Sequence, residues 1–391
     1  MNDKLRDTIQ DCNLNFLIGS GLSCPYLKTL GNIEVLLTAL DSSSSPEATK
    51  SVLRASIYKR YFDIAIGPNI EIIEDHADAK PTHDQYRAFL QILNDILLRR
   101  KSTILSKQSN IFTTNIDIFL EKSLEDVGLE YNDGFSGRFN PFFDLSNFKK
   151  SHFKKSLHYD NTSEIPVFNL LKLHGSLSWR LSTEASIEFS RDLALVRSAK
   201  SKILPADQIV EVAPDSTLAT LTLAADGMIP TAAIAEFMAE FEKIPIVNPT
   251  KLKFRDTLMN QTYYEMLRIY ANELEKENTV LFVLGFSFAD EHIREITLRA
   301  ANSNPTLMIY VVAYDTAAGE EIGTRFKKGN VKNQNIEIIT PPAKEGVSPR
   351  EDAYRHDLAT INEKVFGSIV ETGDVLPVVS PGATGAATPV T

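Results

Sequence analysis

The sequence predicts an α/β protein built on a Rossmann-like parallel sheet of about six strands, with a second, mostly helical region formed by insertions. Three observations lead to this prediction. Short apolar runs without polar alternation recur along the chain, as expected for strands that are buried on both faces. Amphipathic helical segments separate these runs. Polar and glycine residues follow four of the runs, where open parallel sheets bind their ligands.

Length and composition set the broad class of the protein. The chain has 391 residues, of which 43% are hydrophobic, an ordinary value for a globular protein. Its formal net charge of −10 argues against a general nucleic-acid binder. The two cysteines, Cys12 and Cys24, are too few for a disulfide framework or a four-cysteine zinc site. Without a membrane-spanning run or a signal peptide, we expect a cytoplasmic protein with no membrane contact.

The first predicted strand covers 14–18 and leads directly into Gly19, Ser20, Gly21 and Ser23. A buried strand that ends in closely spaced glycines is typical of a nucleotide-binding βα unit, because glycine lets backbone amides approach a pyrophosphate. The third glycine of the complete G-x-G-x-x-G fingerprint is missing here. A glycine turn without any ligand is therefore the alternative interpretation.

Residues 42–107 are predicted to form a helical insertion after this first unit. Within it, Thr82 and Gln85 have the spacing of a capping box, which would start a helix over 86–99. A second insertion, over 180–243, mixes short β-prone runs with a helix and resembles a small subdomain. We expect the two insertions to lie on either side of a ligand cleft.

The regular α/β pattern resumes outside the insertions. Helices are predicted over 115–127 and 351–366, and the remaining strands over 109–113, 167–173, 244–248, 279–284 and 307–313. The Rossmann-like domain then comprises residues 1–41, 108–179 and 244–366. The last segment, 367–391, lacks aromatic side chains and is predicted to be a flexible tail.

Four loops at the ends of these strands carry residues suited to a nucleotide. Besides the glycine turn, they contain Thr114, Asn115, Asp117, His174, Gly285 and Ser287. An asparagine amide both donates and accepts hydrogen bonds, so it can position a water and ribose oxygens. Histidine is suited to general-base catalysis near neutral pH. Because parallel strands end at one edge of a sheet, we expect these residues to lie close together.

The four motifs resemble those of the sirtuin family. Sirtuins carry G-A-G-x-S, T-Q-N-x-D, H-G and G-T-S motifs, and this chain has GSGLS, TTNID, LHG and GFS in the same order. Two departures stand out: Thr114 replaces the glutamine, and the cysteines of the zinc module found in sirtuin deacylases are missing. With its phrase GFSFADEHI, the chain is most similar to sirtuin-like effectors of bacterial antiphage defence, which hydrolyse NAD+.

This resemblance implies an NAD+ glycohydrolase that produces nicotinamide and ADP-ribose and depletes NAD+ during phage infection. Asn115 and His174 would be catalytic, and Asp117 would hold the nicotinamide carboxamide. NAD+ would be the substrate, without zinc, and its binding residues would be Gly19, Ser20, Gly21, Ser23, Thr114, Asp117, Gly285 and Ser287. The resemblance further implies a homo-oligomer and a HerA-type ATPase, or another phage-sensing protein, as partner.

Other interpretations stay open from the sequence. Asn115 and Asp117 are common helix caps, His174 is compatible with a hydrogen-bonded core histidine, and Asp290 is typical of a helix N-cap. The alternative functions are NAD-dependent protein deacylation and a non-catalytic scaffold that senses NAD+ or ADP-ribose. Cyclisation of ADP-ribose differs from hydrolysis only in the nucleophile.

Overall fold

The structure is a computed structural model, and it describes residues 2–100, 104–182, 186–248, 257–326, 331–342 and 355–370. Within these residues the chain forms an α/β protein around a parallel sheet with helices on both faces, a Rossmann-like arrangement. The predicted α/β class with a Rossmann-like parallel sheet is therefore confirmed. The described sheet has seven strands, whereas about six are predicted from the sequence.

The described strands form three sheets. In chain order they are β1 (Asn13–Ile18), β2 (Gln108–Thr113), β3 (Glu130–Asn132), β4 (Phe135–Ser136), β5 (Phe142–Phe143), β6 (His152–Lys155), β7 (Thr162–Ile165), β8 (Val167–Lys172), β9 (Trp179–Leu181), β10 (Ile187–Phe189), β11 (Thr279–Leu284), β12 (Leu307–Val312) and β13 (Ile336–Ile339). The central sheet has the order β13-β12-β11-β1-β2-β8-β3, and all its pairs are parallel. A small sheet, β4-β5-β10-β9, and the hairpin β6-β7 complete the set.

The helices pack on the sheet or belong to the insertions. They are α1 (Asn2–Asp11), α2 (Ile33–Asp41), α3 (Glu47–Tyr61), α4 (Asn69–Ile73), α5 (Lys80–Leu98), α6 (Phe119–Val127), α7 (Ala194–Ser201), α8 (Leu218–Ala224), α9 (Ala232–Phe241), α10 (Thr257–Leu274), α11 (Glu291–Ser303), α12 (Thr316–Arg325), α13 (Leu358–Thr360) and α14 (Ser368–Val370). The segments Phe62–Ile66 and Ile361–Gly367 are π-helical. Within the described ranges, no helix combines the length and the apolar character needed to cross a membrane.

Strand residues alternate between two hydrophobic cores, one on each face of the sheet. In β1, Phe16 faces one core and Leu17 faces the other. On the first face, Phe16 stacks on Phe282 of β11 with ring centroids 5.4 Å apart, and the ring of Phe89 from α5 meets its edge. Helices α10, α11 and α12 cover the second face. Burial on both faces explains why these strands are continuously apolar in the sequence.

A row of asparagines crosses the second face of the sheet. Asn15, Asn110, Asn169 and Asn132 are paired in register on β1, β2, β8 and β3. Their side-chain amides bond in sequence: Asn110 to Asn15 at 2.8 Å, Asn169 to Asn110 at 2.9 Å, and Asn132 to Asn169 at 2.8 Å. The buried carboxylate of Glu273 from α10 accepts a further bond from Asn110. The buried amides of Asn15, Asn169 and Asn132 are thus paired within the row, through the partly buried Asn110.

The segment predicted as a strand over 244–248 is not a strand. Only Ile246 pairs, in an antiparallel bridge with Gly175, and the Val247 N–H donates to the carbonyl of His174 at 2.9 Å. Pro245 has no N–H to donate, which limits ladder formation. The central sheet instead gains β3 and β13, two short edge strands that are not predicted from the sequence.

The two insertions share a hydrophobic core. Helix α3 packs against α8 and α9, and the ring of Tyr58 lies 4.8 Å from that of Phe241. The N–H of Val210 also donates to Ser56 Oγ at 3.0 Å. In contrast, α5 packs on the sheet together with α6 and the C-terminal π-helical segment. It begins at Lys80 with a proline in its first turn, so the predicted start at Thr82 is wrong.

The C-terminal predictions fall partly outside the described residues. Residues 351–354 of the predicted helix and 371–391 of the predicted tail lie outside them. The described part is helical from Leu358 to Val370.

We predict that Asn110→Ala lowers the free energy of unfolding by about 2–3 kcal/mol, because it leaves buried polar groups of Asn15 and Glu273 without this partner. Urea unfolding followed by circular dichroism measures the change. Asn161→Ala, at an exposed position, is the matched control and should change stability by less than about 0.5 kcal/mol. Equal stability of both variants would show that the asparagine row contributes nothing to the fold.

Candidate active site

The strand register brings the predicted site loops to one edge of the sheet. Ile18 at the end of β1 pairs with Thr113 of β2 and with Leu284 of β11, and Thr113 pairs with Lys172 of β8. The four loops that follow these strands therefore start at the same level. Asn115 lies two residues beyond the end of β2, and His174 lies two beyond the end of β8. Parallel sheets bind ligands at this carboxyl edge.

Ser23 is the centre of a buried hydrogen-bond network. Its Oγ donates to Asp117 Oδ2 at 2.8 Å and accepts from Asn115 Nδ2 at 3.2 Å. The hydroxyl of Tyr86 lies 2.9 Å from the same Oγ. A hydroxyl has one hydrogen and two lone pairs, so Tyr86 must be the donor and Ser23 is saturated. In this arrangement Ser23 holds Asn115 and Asp117 and presents no free hydroxyl.

Tyr86 stays protonated in this network. The side chain is fully buried, and burial, followed by the negative charge of Asp117, raises the pKa of its hydroxyl well above the usual range. Its ring stacks on Phe119 with centroids 5.2 Å apart. Nothing in the sequence distinguishes Tyr86 from the apolar face of its helix, so sequence analysis missed its contact with Ser23.

Asn115 has one unsatisfied acceptor. Its amide Nδ2 is committed to Ser23, whereas Oδ1 is buried and has no hydrogen-bond partner within the described residues. Only 4% of the residue is exposed. Leaving a buried acceptor unpaired costs about 1–3 kcal/mol, so this oxygen is a favourable place for a ligand or water that donates a hydrogen bond.

Asp117 combines a structural role with a place in the network. Its Oδ1 accepts from the N–H of Phe119 at 3.2 Å. Helix α6 begins at Phe119, whereas the sequence predicts a helix that begins at residue 115. Asn115 caps no helix: its backbone N–H donates to Thr113 Oγ1 at 3.0 Å. The capping interpretation is therefore wrong for Asn115. The N-cap of α6 is Ile118, and Asp117, one residue before it, bonds the Phe119 amide without being the cap. The five residues between β2 and α6, 114–118, form the loop that carries both side chains.

The glycines after β1 and β11 pack against each other. The amides of Gly19 and Gly21 donate to the carbonyls of Leu284 and Gly285 at 2.9 and 3.0 Å, respectively. A Cβ on Gly19 would lie 2.5 Å from the Gly285 carbonyl oxygen, and one on Gly21 would lie 2.9 Å from it. Close contact between the two loops is thus a sufficient reason for glycine at these positions. Their amides are used within the protein.

The other predicted binding residues surround this contact. Ser20 and Ser287 are exposed, Thr114 is half-buried, and the Thr114 N–H donates to the Ile18 carbonyl at 3.2 Å. Gly285 adopts the left-handed conformation with φ of 62°. Ligand contact by these residues stays a prediction.

At the carboxyl edge of the sheet, the His174 ring faces the carboxylate of Asp290. Its Nε2 lies 3.2 Å from Asp290 Oδ2, within ion-pair distance but without the alignment of a hydrogen bond. The Tyr263 ring lies 6.2 Å away. His174 is 19% exposed at its side chain, so it is enclosed without being fully buried. Asp290 also caps α11, as predicted.

Lys172 and Glu121 form an ion pair beneath the loops that carry Asn115 and His174, on the side of the sheet. The buried Lys172 Nζ donates to the backbone carbonyl of Asp117 and lies 3.0 Å from Glu121 Oε1. That same carboxylate oxygen accepts from Ser176 Oγ at 2.9 Å. This buried ion pair therefore joins the loop of Asn115 to the loop of His174. Lys172 ends an otherwise apolar strand, a signal that sequence analysis passed over.

A separate cleft of about 440 Å³ lies between α4, α5 and α6. None of the predicted site residues lines it. Most of its charged side chains are already paired: Lys122 lies 3.0 Å from Asp75, and Asp126 lies within 4 Å of Arg87, Lys122 and His83. We assign no ligand site to this cleft.

Comparisons with known proteins add no family assignment. No protein-family model matches the chain, and a search of curated proteins finds no significant match. Across the described ranges, no group of three or more His, Cys, Asp or Glu side chains is placed to hold a metal ion. Function is therefore inferred from the side chains at the edge of the sheet.

We predict that Gly285→Ala destabilises the protein by about 2–4 kcal/mol, because alanine is strained in the left-handed conformation and its Cβ would lie 2.5 Å from the Leu22 backbone nitrogen. Chemical unfolding measures the loss. The control is Gly323→Ala in α12, where the added Cβ would meet only Ile338 at 3.8 Å. That variant should gain about 0.5–1 kcal/mol from helix propensity. A similar effect at both positions would contradict the packing of the two glycine loops.

Proposed function

We propose that the protein is an NAD+ glycohydrolase, which converts NAD+ and water to nicotinamide and ADP-ribose. The observation that carries this proposal is the buried, unpaired Oδ1 of Asn115 at the carboxyl edge of a parallel sheet. The edge is the usual nucleotide site of such folds, and the oxygen requires a donor. A water or a ribose hydroxyl supplies one.

Asn115 would position the nucleophile. The Ser23 network fixes the amide so that the oxygen, and not the nitrogen, is available. A water that donates to Oδ1 keeps both of its lone pairs, one of which can attack C1′ of the ribose as nicotinamide leaves. Holding the water in this geometry lowers the entropic part of the barrier.

His174 would take the proton. As the water oxygen bonds to C1′, the bond between C1′ and the nicotinamide nitrogen breaks and its electron pair leaves with nicotinamide. The attacking water then loses a proton, which the neutral imidazole accepts. The negative Asp290 at 3.2 Å favours the imidazolium that forms.

The dinucleotide would lie along the same edge. Asp117 retains lone pairs after its bonds to Ser23 and Phe119, so it can accept from the carboxamide of nicotinamide. The exposed Ser20 and Ser287 are available for the phosphates or the adenosine ribose. The Gly19 and Gly21 amides are occupied, which makes these hydroxyls the more accessible donors.

The biological setting stays a prediction from the motif resemblance. It comprises antiphage NAD+ depletion in the cytoplasm, a homo-oligomer and a HerA-type ATPase or another sensor as partner.

The test is nicotinamide release from NAD+ by the purified full chain, without any acylated peptide. We expect Asn115→Ala and His174→Ala to reduce kcat by about 10²- to 10⁴-fold, with a smaller effect on KM, because both groups act on the transition state. His292→Ala is the matched control, an exposed histidine on α11 that should retain activity.

Three results would contradict the proposal. Undiminished turnover in both variants would exclude roles for Asn115 and His174. Release that requires an acylated lysine peptide would identify a deacylase. NAD+ binding without release, in the presence or absence of peptide and candidate partner, would identify a binding scaffold.

A further inference from the structure

Asp290 uses its two carboxylate oxygens for two different purposes. Oδ1 accepts from the N–H groups of His292 and Ile293 at 2.9 and 3.2 Å and thereby caps α11. Oδ2 points to the other side and lies 3.2 Å from His174 Nε2. The N-cap accounts for only one oxygen. The second oxygen, Oδ2, lies against His174, the histidine that the proposed reaction uses.

The loop that carries Asp290 is held firmly. Phe288 is fully buried in a left-handed conformation with φ of 58°, and its ring packs at 4.6 Å from Phe326. Its carbonyl accepts from Arg294 Nη1 at 3.1 Å, which ties the loop back onto α11. The position of Asp290 is therefore set by packing on both sides, independently of any contact with His174.

The histidine is held from its own side as well. Its backbone carbonyl accepts from Val247, and the next residue, Gly175, bridges to Ile246. Tyr263 flanks the ring, and burial, with Asp290 as the next cause, raises the pKa of the Tyr263 hydroxyl above its usual range. Tyr263 therefore stays neutral and adds no charge beside His174.

The two ring nitrogens of His174 are not equivalent. Nε2 is enclosed and faces the carboxylate, whereas Nδ1 makes no hydrogen bond among the described residues and is not enclosed. A carboxylate only accepts, so it favours the tautomer with the proton on the nitrogen that it faces. The remaining nitrogen then carries the lone pair.

We propose that Asp290 is a positioning residue for His174: it keeps the proton on Nε2 and leaves Nδ1 as the atom that accepts a proton. This inference rests on the proposed function, in which His174 is the general base. In the reaction, the proton lost by the attacking water goes to Nδ1, and the resulting imidazolium is stabilised by the carboxylate. No other co-reactant is required.

The decisive variant is Asp290→Asn. Asparagine is as good an N-cap as aspartate, so α11 keeps its cap while the charge facing His174 is removed. We expect kcat to fall about 10- to 100-fold with KM changed by less than about threefold, a smaller loss than for removal of the base itself. Glu291→Gln is the matched control: it removes a charge from the next residue, which is exposed and pairs only weakly with Arg294, and should leave kcat unchanged.

Two further measurements separate positioning from a general loss of structure. In the His174→Ala background, Asp290→Asn should cause no additional loss, because the carboxylate acts only through the imidazole. Imidazole ¹⁵N shifts of the free protein at pH 8, assigned with His174→Gln, should report the Nε2–H tautomer in the wild type and a mixture in Asp290→Asn.

An unchanged tautomer in Asp290→Asn, or an additional loss in the His174→Ala background, overturns the inference. The NMR measurement needs no turnover. A tautomer that depends on Asp290 in a protein that does not hydrolyse NAD+ would therefore overturn the proposed function and leave the His174–Asp290 pairing established.

Discussion

The register between neighbouring parallel strands is the constraint on which the rest of the structure depends. Hydrophobic burial alone fixes it incompletely. A slip of one residue would exchange the two faces, but a slip of two would preserve the alternation and bury nearly the same apolar surface. The in-register row from Asn15 to Asn110 and Asn169 removes this ambiguity, because a two-residue slip would break the contacts between these amides and leave one amide of each pair opposite an apolar side chain, such as Leu17 or Phe112. The polar row thus specifies what the apolar core leaves undetermined.

The site follows from this register. Thr113 pairs with Ile18 and with Lys172, so the loops after these three adjacent strands begin side by side. Thr113 Oγ1 links two of these loops, because it donates to the Ile18 carbonyl and accepts from the Asn115 N–H. Lys172 then anchors the Asn115 loop from below. Each functional side chain is therefore fixed by backbone pairing and by buried polar contacts, and not by the surface loops alone.

The sequence predicts the parts of this arrangement that depend on local pattern. Continuous apolar runs located β1, β2, β8, β11 and β12, and the polar residues after them include Asn115 and His174. The pattern fails where pairing partners decide the outcome. The run over 244–248 is as apolar as a strand, yet Pro245 and its position beside Gly175 leave it with one bridge. The three residues of β3 are a strand because they pair with β8, and Asn132 there extends the asparagine row; no local property of the sequence reveals this pairing.

Polar contacts between residues far apart in the chain could not be predicted from the sequence either. Ser23 and Tyr86 are 63 residues apart, and each has an ordinary local role, in a turn and on a helix face. The sequence therefore named Ser23 as a binding residue, whereas the structure gives its hydroxyl three protein partners. Asp290 illustrates the same limit: its position predicts a helix cap, and only the fold brings its second oxygen to His174.

The charge of Asp117 determines which ligands Asn115 can receive. Because a carboxylate only accepts, it draws the Ser23 hydrogen, and Ser23 in turn must accept from Tyr86 and from the Asn115 nitrogen. The direction of every bond is then fixed, and the amide oxygen is left to face the ligand. A phosphate oxygen placed there would meet another acceptor and would be repelled. In a bound dinucleotide, the pyrophosphate must therefore lie elsewhere on the edge, and a ribose hydroxyl or a water must occupy the position at Asn115.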